Sequence, residues 1–238
     1  MPFCKQNAEI LYFETEICYT FPEGSVVMDP QKEMYAKRGQ VLVQNLKKRH
    51  FEACYCDDRA AALEKALELI PDGAAVGWGG AMSCEQIGLM DALRGRNVKL
   101  LDRSKAASPQ EREQLMKQCL TADVFLTGAN ALSLDGQMVN IDGNGNRVAA
   151  IVYGPDSVIV VAGMNKVCDT LEQAVQRARS IAAPANAQRF RIATPCNSTG
   201  SCHNCTSADC ICNQLLITRH CRPAGRIKFI LVGEDLGL

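Results

Sequence analysis

Small polar residues dominate one stretch of the chain, from Thr127 to Asn146. It holds four glycines, four asparagines and two aspartates, and it follows the short apolar run Val124–Leu126. An apolar run of that length is typical of a buried strand. Because ligands bind at strand ends in open α/β sheets, the amide and carboxylate groups here could hold a small ligand. The alternative is that these residues only form tight turns.

Two turn signals lie inside this stretch, Asp135-Gly136 and Asp142-Gly143. They bracket the extended segment Gln137–Ile141, so the sequence predicts a small hairpin. Asp135 is a candidate general base or nucleophile, although an aspartate that precedes glycine is commonly only a turn former.

A second candidate ligand site is the glycine-rich turn Gly77–Ser83, between a predicted strand at 74–78 and a predicted helix from Cys84 to about Arg94. Free backbone N–H groups at such a turn can bind an anion, and glycine allows the anion to approach closely. Packing alone is the alternative role, and Ser83 could serve to cap the helix. The spacing is neither G-x-G-x-x-G nor a P-loop, so it specifies no nucleotide.

Lys166 ends the third candidate stretch, Gly163–Lys166. The run before it, Ser157–Ala162, is apolar and β-branched, as in a central parallel strand that is covered on both faces. The carboxyl ends of parallel strands meet at one edge of the sheet, so we expect the three stretches to converge there. At that edge Lys166 could stabilise negative charge that develops on a substrate.

Cysteine is unusually frequent, with 13 residues in all. Six of them lie within 26 residues: Cys196, Cys202, Cys205, Cys210, Cys212 and Cys221. The chain shows no secretory signal, so these thiols are expected to stay reduced and to bind metal or carry out redox chemistry. Four thiolates suit a tetrahedral Zn²⁺ or an iron–sulfur cluster. A set of free thiols is the alternative.

The elements that must position these groups follow from the alternation of short strands with helices of roughly ten to fifteen residues. This pattern predicts an α/β fold with three layers, in which helices cover both faces of an open, mostly parallel sheet. Helices are predicted near 30–50, 59–70, 84–94, 108–121 and 169–182, with a linker at 182–187. The segment 147–153 is predicted as a short helix, with a strand as the alternative. A last strand at 226–233 is expected to return to the sheet, so the cysteine-rich module, 194–222, is predicted to be an insertion. Residues 1–27 show no clear period and form a predicted arm before a domain at 28–238.

Composition and charge restrict the classes of partner. The chain is 47% hydrophobic and 22% charged, as in ordinary globular proteins, and its 26 basic residues balance 26 acidic ones. This balance gives no electrostatic reason to expect a nucleic acid or a membrane surface as partner. No apolar run reaches the length of a membrane span. With no secretory signal, we expect a cytoplasmic protein.

Several motifs together resemble the LUD (lactate-utilization) domain family. They are Gly77–Ser83, Thr127–Asn140 with its Asp135-Gly136 turn, Val161–Lys166, Thr194-Pro-Cys196, Cys202-x2-Cys205, Ile211-Cys212 and Leu231–Gly237. The resemblance covers about Pro30 to Leu238, in the same order. It implies a fold related to ribose-5-phosphate isomerase, glucosamine-phosphate deaminase and CoA transferases. It also implies a link to L-lactate oxidation, in which some members work beside iron–sulfur partners.

The resemblance further implies that a [4Fe-4S] cluster, or alternatively zinc, is bound by Cys196, Cys202, Cys205 and Cys212. It gives no role to Cys210, and the homodimer that we expect rests on the fold resemblance alone.

Three functions remain open at this point. The first is a redox protein of lactate or related organic-acid metabolism, with a small-anion site and a cysteine-bound metal or iron–sulfur centre. The second is a sugar-phosphate isomerase or a CoA transferase-like enzyme with only a structural zinc, and the third is a zinc-folded structural module. The candidate catalytic residues are Asp135, Lys166 and Glu85. The candidate substrate-binding residues are Gly77, Gly79, Gly80, Ser83, Gly128, Asn130, Gly136, Asn140 and Asn165.

Overall fold

A computed structural model describes residues 29–238, so the predicted arm at 1–27 lies outside the described residues. The α-helices are α1 (Pro30–Lys48), α2 (Arg59–Glu68), α3 (Met82–Gln86), α4 (Leu89–Arg94), α5 (Pro109–Gln118), α6 (Asn146–Tyr153), α7 (Leu171–Arg177), α8 (Ala183–Ala187) and α9 (Pro195–Thr199). The strands are β1 (Glu52–Cys56), β2 (Ala75–Gly79), β3 (Lys99–Leu101), β4 (Val124–Thr127), β5 (Ala131–Ser133), β6 (Met138–Asp142), β7 (Ser157–Gly163), β8 (Val167–Cys168), β9 (Gln214–Thr218) and β10 (Ile227–Val232). Within residues 29–238, no helix is both long and apolar enough to cross a bilayer.

The main sheet has six strands in the order β1-β10-β7-β4-β2-β3, and every neighbouring pair is parallel. The last strand of the chain, β10, lies between β1 and β7 with Phe229 opposite Val160. This confirms the predicted parallel sheet and the predicted return of the final strand. The segment between α8 and β10, which holds the cysteine-rich module, therefore leaves the sheet and comes back to it.

Strand β7 shows why the fold has three layers. Its side chains alternate between two hydrophobic clusters: Val158 and Val160 pack with α1 and α6, whereas Ile159 and Val161 pack with α2 and α4. All four side chains are fully buried. A strand with both faces covered needs apolar residues at every position, which is the pattern that the sequence shows. The predicted α/β fold with helices on both faces of the sheet is confirmed.

A second, four-stranded sheet, β8-β5-β6-β9, was not predicted. Its centre is the predicted hairpin, in which β5 and β6 run antiparallel around the Asp135-Gly136 turn. Strand β8 joins β5 in parallel, and β9, from within the predicted cysteine module, joins β6 in the antiparallel sense. Strands β8 and β9 have only two and five residues, so they carry too little periodicity to be recognised from sequence.

Two predicted boundaries are wrong. The helix expected from Cys84 to Arg94 is divided into α3 and α4 at Gly88, whose φ of 80° is a left-handed conformation that ends a helix. The linker expected at 182–187 is instead helical: a π-helical turn, Ala178–Ala182, continues into α8. Ala178 and Ala183 pack against the β5–β6 hairpin, so burial of small side chains stabilises a segment whose proline suggested a break.

Candidate functional site

A pocket of about 490 Å³ opens at the carboxyl edge of the main sheet. The three predicted stretches meet there: Gly80 and Ser83 line it from the turn after β2, Asn130 from the segment after β4, and Lys166 from the end of β7. Their convergence follows from the parallel sheet, which places the ends of β2, β4 and β7 side by side.

Lys166 is the most deeply placed cation of this pocket, with only 4% of its surface exposed. Its Nζ donates hydrogen bonds to Ser83 Oγ at 3.3 Å and to the carbonyl oxygen of Ala129 at 3.1 Å. Burial, together with the nearby charges of Arg177 and Arg147, lowers the pKa of Lys166 to about 7. Near neutral pH the amine can therefore accept a proton or, when protonated, bind an anion.

Gly237 packs directly against the side chains of Lys166 and Ser83. Its φ is 65°, and a Cβ at this position would lie 2.5 Å from Lys166 Nζ and 2.9 Å from Ser83 Oγ. The segment after β10 can therefore cross the buried amine only because residue 237 has no side chain.

Arg147, in the first turn of α6, is the second buried cation. It is 9% exposed, and its Nη2 donates to Asn130 Oδ1 at 3.0 Å and to the carbonyl oxygen of Ile141. Burial lowers its pKa, and no carboxylate within residues 29–238 pairs with it. The guanidinium packs on the glycine turn, because a Cβ on Gly80 would lie 2.7 Å from Nη1.

Asparagine side chains link the chain segment that follows β4 to strand β6. Asn130 Oδ1 accepts from the N–H of Ile141 at 2.9 Å as well as from Arg147. Asn140 is fully buried, and its Nδ2 donates to the carbonyl oxygen of Gly128 at 3.1 Å. Asn140 and Gly128 therefore support the pocket from behind, since neither is among the lining residues.

Three further arginines, Arg103, Arg112 and Arg189, line the outer part of the pocket. Burial lowers the pKa of Arg103, and Arg112 lowers it further. Among the described residues, two side-chain carboxylates face the same space, those of Glu85 and Asp142. The lining side chains thus carry a formal excess of three positive charges, which suits an anionic ligand.

Some predicted site residues lie elsewhere. Asp135, at the opposite end of β5, is bound by Arg49 Nη2 at 2.7 Å and by Gln137 Nε2 at 2.9 Å. Gly136 packs against α1, and a Cβ on Gly77 would lie 2.6 Å from Cys119 Sγ. Asn165 Oδ1 accepts from the N–H of Leu236 at 3.1 Å. None of these four predicted residues lines the pocket, whereas Gly79, Gly80, Ser83, Glu85, Asn130 and Lys166 do.

Sequence reasoning missed all four arginines that line the pocket. Arg147 carried a usable signal, because it is the charged residue at the start of an otherwise apolar helix and follows Asn144-Gly145-Asn146. Arg103, Arg112 and Arg189 stand in ordinary polar segments, so only the folded chain shows that they share one space.

Five cysteines line a second cavity of about 240 Å³: Cys196, Cys202, Cys205, Cys210 and Cys212. His203 lines it too, while the sixth cysteine of the module, Cys221, is buried next to Pro223. Thr194 Oγ1 lies 3.3 Å from Cys196 Sγ. Within residues 29–238, no three His, Cys, Asp or Glu side chains converge closely enough to hold one metal ion.

The two cavities share a wall. Ile141 and Ile211 line both of them, and Ile211 lies between Cys210 and Cys212 in sequence. Asn213 Nδ2 donates to the carbonyl oxygen of Gly143 at 2.9 Å, which ties the cysteine segment to the edge of the first pocket. The side chains of Ile141 and Ile211 therefore lie between the two cavities.

The family model of the LUD domain matches residues 39–232. The chain belongs to the LUD domain family. It is thus a lactate-utilization-type protein, as the motifs indicated. No curated protein matches this LUD domain in sequence.

Two solved structures resemble the LUD domain described here. The crystal structure of a DUF162 family protein from Deinococcus radiodurans is 12% identical, with a TM-score of 0.47 over 84% of this chain and 97% of that chain. The crystal structure of eIF2B delta from Chaetomium thermophilum is 16% identical, with a TM-score of 0.34 over 58% of this chain and 57% of that chain.

Proposed function

We propose that this LUD domain is a redox protein in the oxidation of lactate or a related organic acid. In this proposal the pocket around Lys166 and Arg147 binds the organic anion, and the cysteine-lined cavity holds an iron–sulfur centre. The observation that carries the proposal is the wall of Ile141 and Ile211, which both cavities share. A structural metal has no need to lie beside a ligand pocket, whereas electron transfer favours such proximity.

The donor chemistry of the second cavity suits a cluster better than a single zinc. Four sulfurs that bind one Zn²⁺ each lie about 2.3 Å from the same point. The thiolates of a [4Fe-4S] cluster bind four separate irons, so they stand farther apart. Five thiols line this cavity of about 240 Å³, which is more than one Zn²⁺ requires, and four of them would suffice for a cluster. We assign Cys196, Cys202, Cys205 and Cys212 as ligands, with Cys210 as the additional thiol of the cavity.

The side chains of the pocket have distinct proposed roles. Protonated Lys166 and Arg147 bind the carboxylate, because charge-assisted hydrogen bonds to a carboxylate are strong in a buried site. Where Lys166 is deprotonated, Arg147 alone binds the carboxylate and Lys166 accepts the hydroxyl proton of the substrate; where Lys166 is protonated, Glu85 accepts that proton. Conversion of a hydroxyl to a carbonyl releases two electrons and two protons. A cluster held by these cysteines would supply one-electron transfer, so the electrons would pass singly to an iron–sulfur partner protein and the second proton to solvent.

Metal analysis of anaerobically purified protein tests the centre. We expect a brown protein with about four irons per chain, as a four-thiolate cluster requires. Cys202→Ser should lose the iron and keep the main-domain fold, whereas Cys221→Ala, outside the cavity, should keep the iron. Unchanged iron in Cys202→Ser would refute the ligand assignment.

A second candidate is a sugar-phosphate isomerase or a CoA transferase-like enzyme with a structural zinc. The observation in its favour is the cationic excess of the pocket, which exceeds the charge of one carboxylate. A colourless protein with one zinc per chain, together with turnover of a sugar phosphate or a CoA ester, would favour this candidate.

A further inference from the structure

The five cations that line the pocket have one property in common. Within residues 29–238, eight ion pairs join lysines or arginines to carboxylates. None involves the five cations that line the pocket: Arg103, Arg112, Arg147, Lys166 and Arg189. The carboxylate of Asp142 accepts hydrogen bonds from three backbone N–H groups, those of Gly143, Arg147 and Val148. The pocket therefore holds five cations close together, and the carboxylates of Asp142 and Glu85 offset only part of their charge.

Two of these cations form an inner site. Lys166 and Arg147 are both more than nine-tenths buried, so their charges are costly without a partner. Arg147 donates only through Nη2, and among the described residues its Nη1 and Nε have no hydrogen-bond partner. Lys166 Nζ has two acceptors for its three protons. The free donors of this pair are enough for one carboxylate.

The other three cations form an outer site. Arg103 is half-buried, and Arg112 and Arg189 are exposed. The neighbouring charges of Arg112 and Arg189 both lower the pKa of Arg103, whereas Asp142 raises it, so Arg112 and Arg189 each lie near Arg103. Guanidinium groups bind phosphate oxygens in a bidentate manner, and a cluster of them is typical of a phosphate site.

We propose that the ligand of this pocket carries two anionic groups, a carboxylate on Lys166 and Arg147 and a phosphate on the outer arginines. This inference rests on the anion pocket of the proposed function and names its substrate class, a phosphorylated organic acid. A carboxylate and a phosphate together carry about three negative charges at pH 7, since a phosphate monoester contributes between about −1.5 and −2. That charge matches the formal excess of the lining side chains.

A matched pair of acids tests the proposal, namely D-glycerate and 3-phospho-D-glycerate, which differ only in the phosphate. Isothermal titration calorimetry on the full-length protein should show that the phosphorylated acid binds at least about tenfold more tightly, a difference of about 1.4 kcal/mol. Arg103→Gln should reduce that ratio to below about threefold. Lys99→Gln, an exposed lysine at the start of β3, is the control and should leave the ratio unchanged.

Equal affinities for the two acids, or a ratio that Arg103→Gln leaves unchanged, would overturn the inference. If L-lactate or glycerate binds and iron is present but phosphate adds nothing, the substrate class fails and the proposed redox function stands. If neither acid binds, phosphorylated or not, the anion site itself is wrong and both proposals fail with it.

Discussion

Lys166→Met should change how the stability of the protein depends on pH. Lys166 is 4% exposed, and its ammonium group makes no ion pair within residues 29–238. Burial lowers its pKa to about 7 from an ordinary value of 10.5. Methionine fills a similar volume without a charge, so the variant keeps the packing and removes the titrating group.

The sign of the effect follows from proton binding. Between about pH 7 and pH 10.5 the unfolded chain keeps the proton of Lys166 and the folded chain has lost it. The free energy of unfolding therefore rises with pH across this window, and below pH 7 the full cost of a buried charge remains. A shift from 10.5 to about 7 corresponds to at most about 5 kcal/mol, at about 1.36 kcal/mol for each pH unit.

Urea unfolding at pH 6, 7, 8 and 9 measures the effect as a difference between variants, so that other titrating groups cancel. Lys166→Met should be more stable than the wild type at pH 6, and its advantage should shrink as the pH rises through 9. Lys99→Met, which changes an exposed lysine, should run parallel to the wild type. Parallel curves for Lys166→Met and the wild type would show that the amine titrates at its ordinary pH, and the proton-accepting role would then be refuted.

Three further predictions concern single contacts. Gly80→Ala should displace the guanidinium that lies 2.7 Å from its new Cβ and weaken anion binding about tenfold, whereas Gly73→Ala, with a similar positive φ and open space, should not weaken it. Asp135→Asn should lose the ion pair with Arg49 and about 1 kcal/mol of stability with no change in anion affinity, as urea unfolding and calorimetry would show. Asn140→Ala should lose about 1–3 kcal/mol of stability, because a buried carbonyl loses its donor; a loss below about 0.5 kcal/mol would contradict this.

The main sheet was predictable because its signals are local. The run Val158–Ala162 is apolar at every position, and the burial of β7 on both faces explains why. Helix caps were less predictable, because Ser83, the candidate cap, lies inside α3, whose N-cap residue is Ala81 and makes no side-chain cap hydrogen bond. The second sheet could not be predicted, since the pairing of β9 with β6 joins segments more than 70 residues apart and depends on the folded cysteine region.

The residues of the inner site could be partly predicted from the sequence, and those of the outer site could not. Lys166 and Ser83 follow strands whose order fixes their meeting point, so topology was sufficient for them. Asp135 shows the limit of motif reasoning: a turn aspartate can support a hairpin, as its contacts with Arg49 and Gln137 show, without reaching the ligand pocket. The outer arginines depend on loops whose path the sequence does not specify.

The two walls of the anion pocket have different origins. The sheet edge supplies one wall, which six parallel strands hold rigidly. The cysteine-rich side supplies the other, through Phe190, Ile192 and Ile211. Asn197 Nδ2 donates to the carbonyl oxygens of Phe190 and Ile192 at 3.0 and 2.9 Å, so helix α9, which holds Cys196, also holds this wall. The position of the cysteine segment and the shape of the pocket therefore depend on the same contacts.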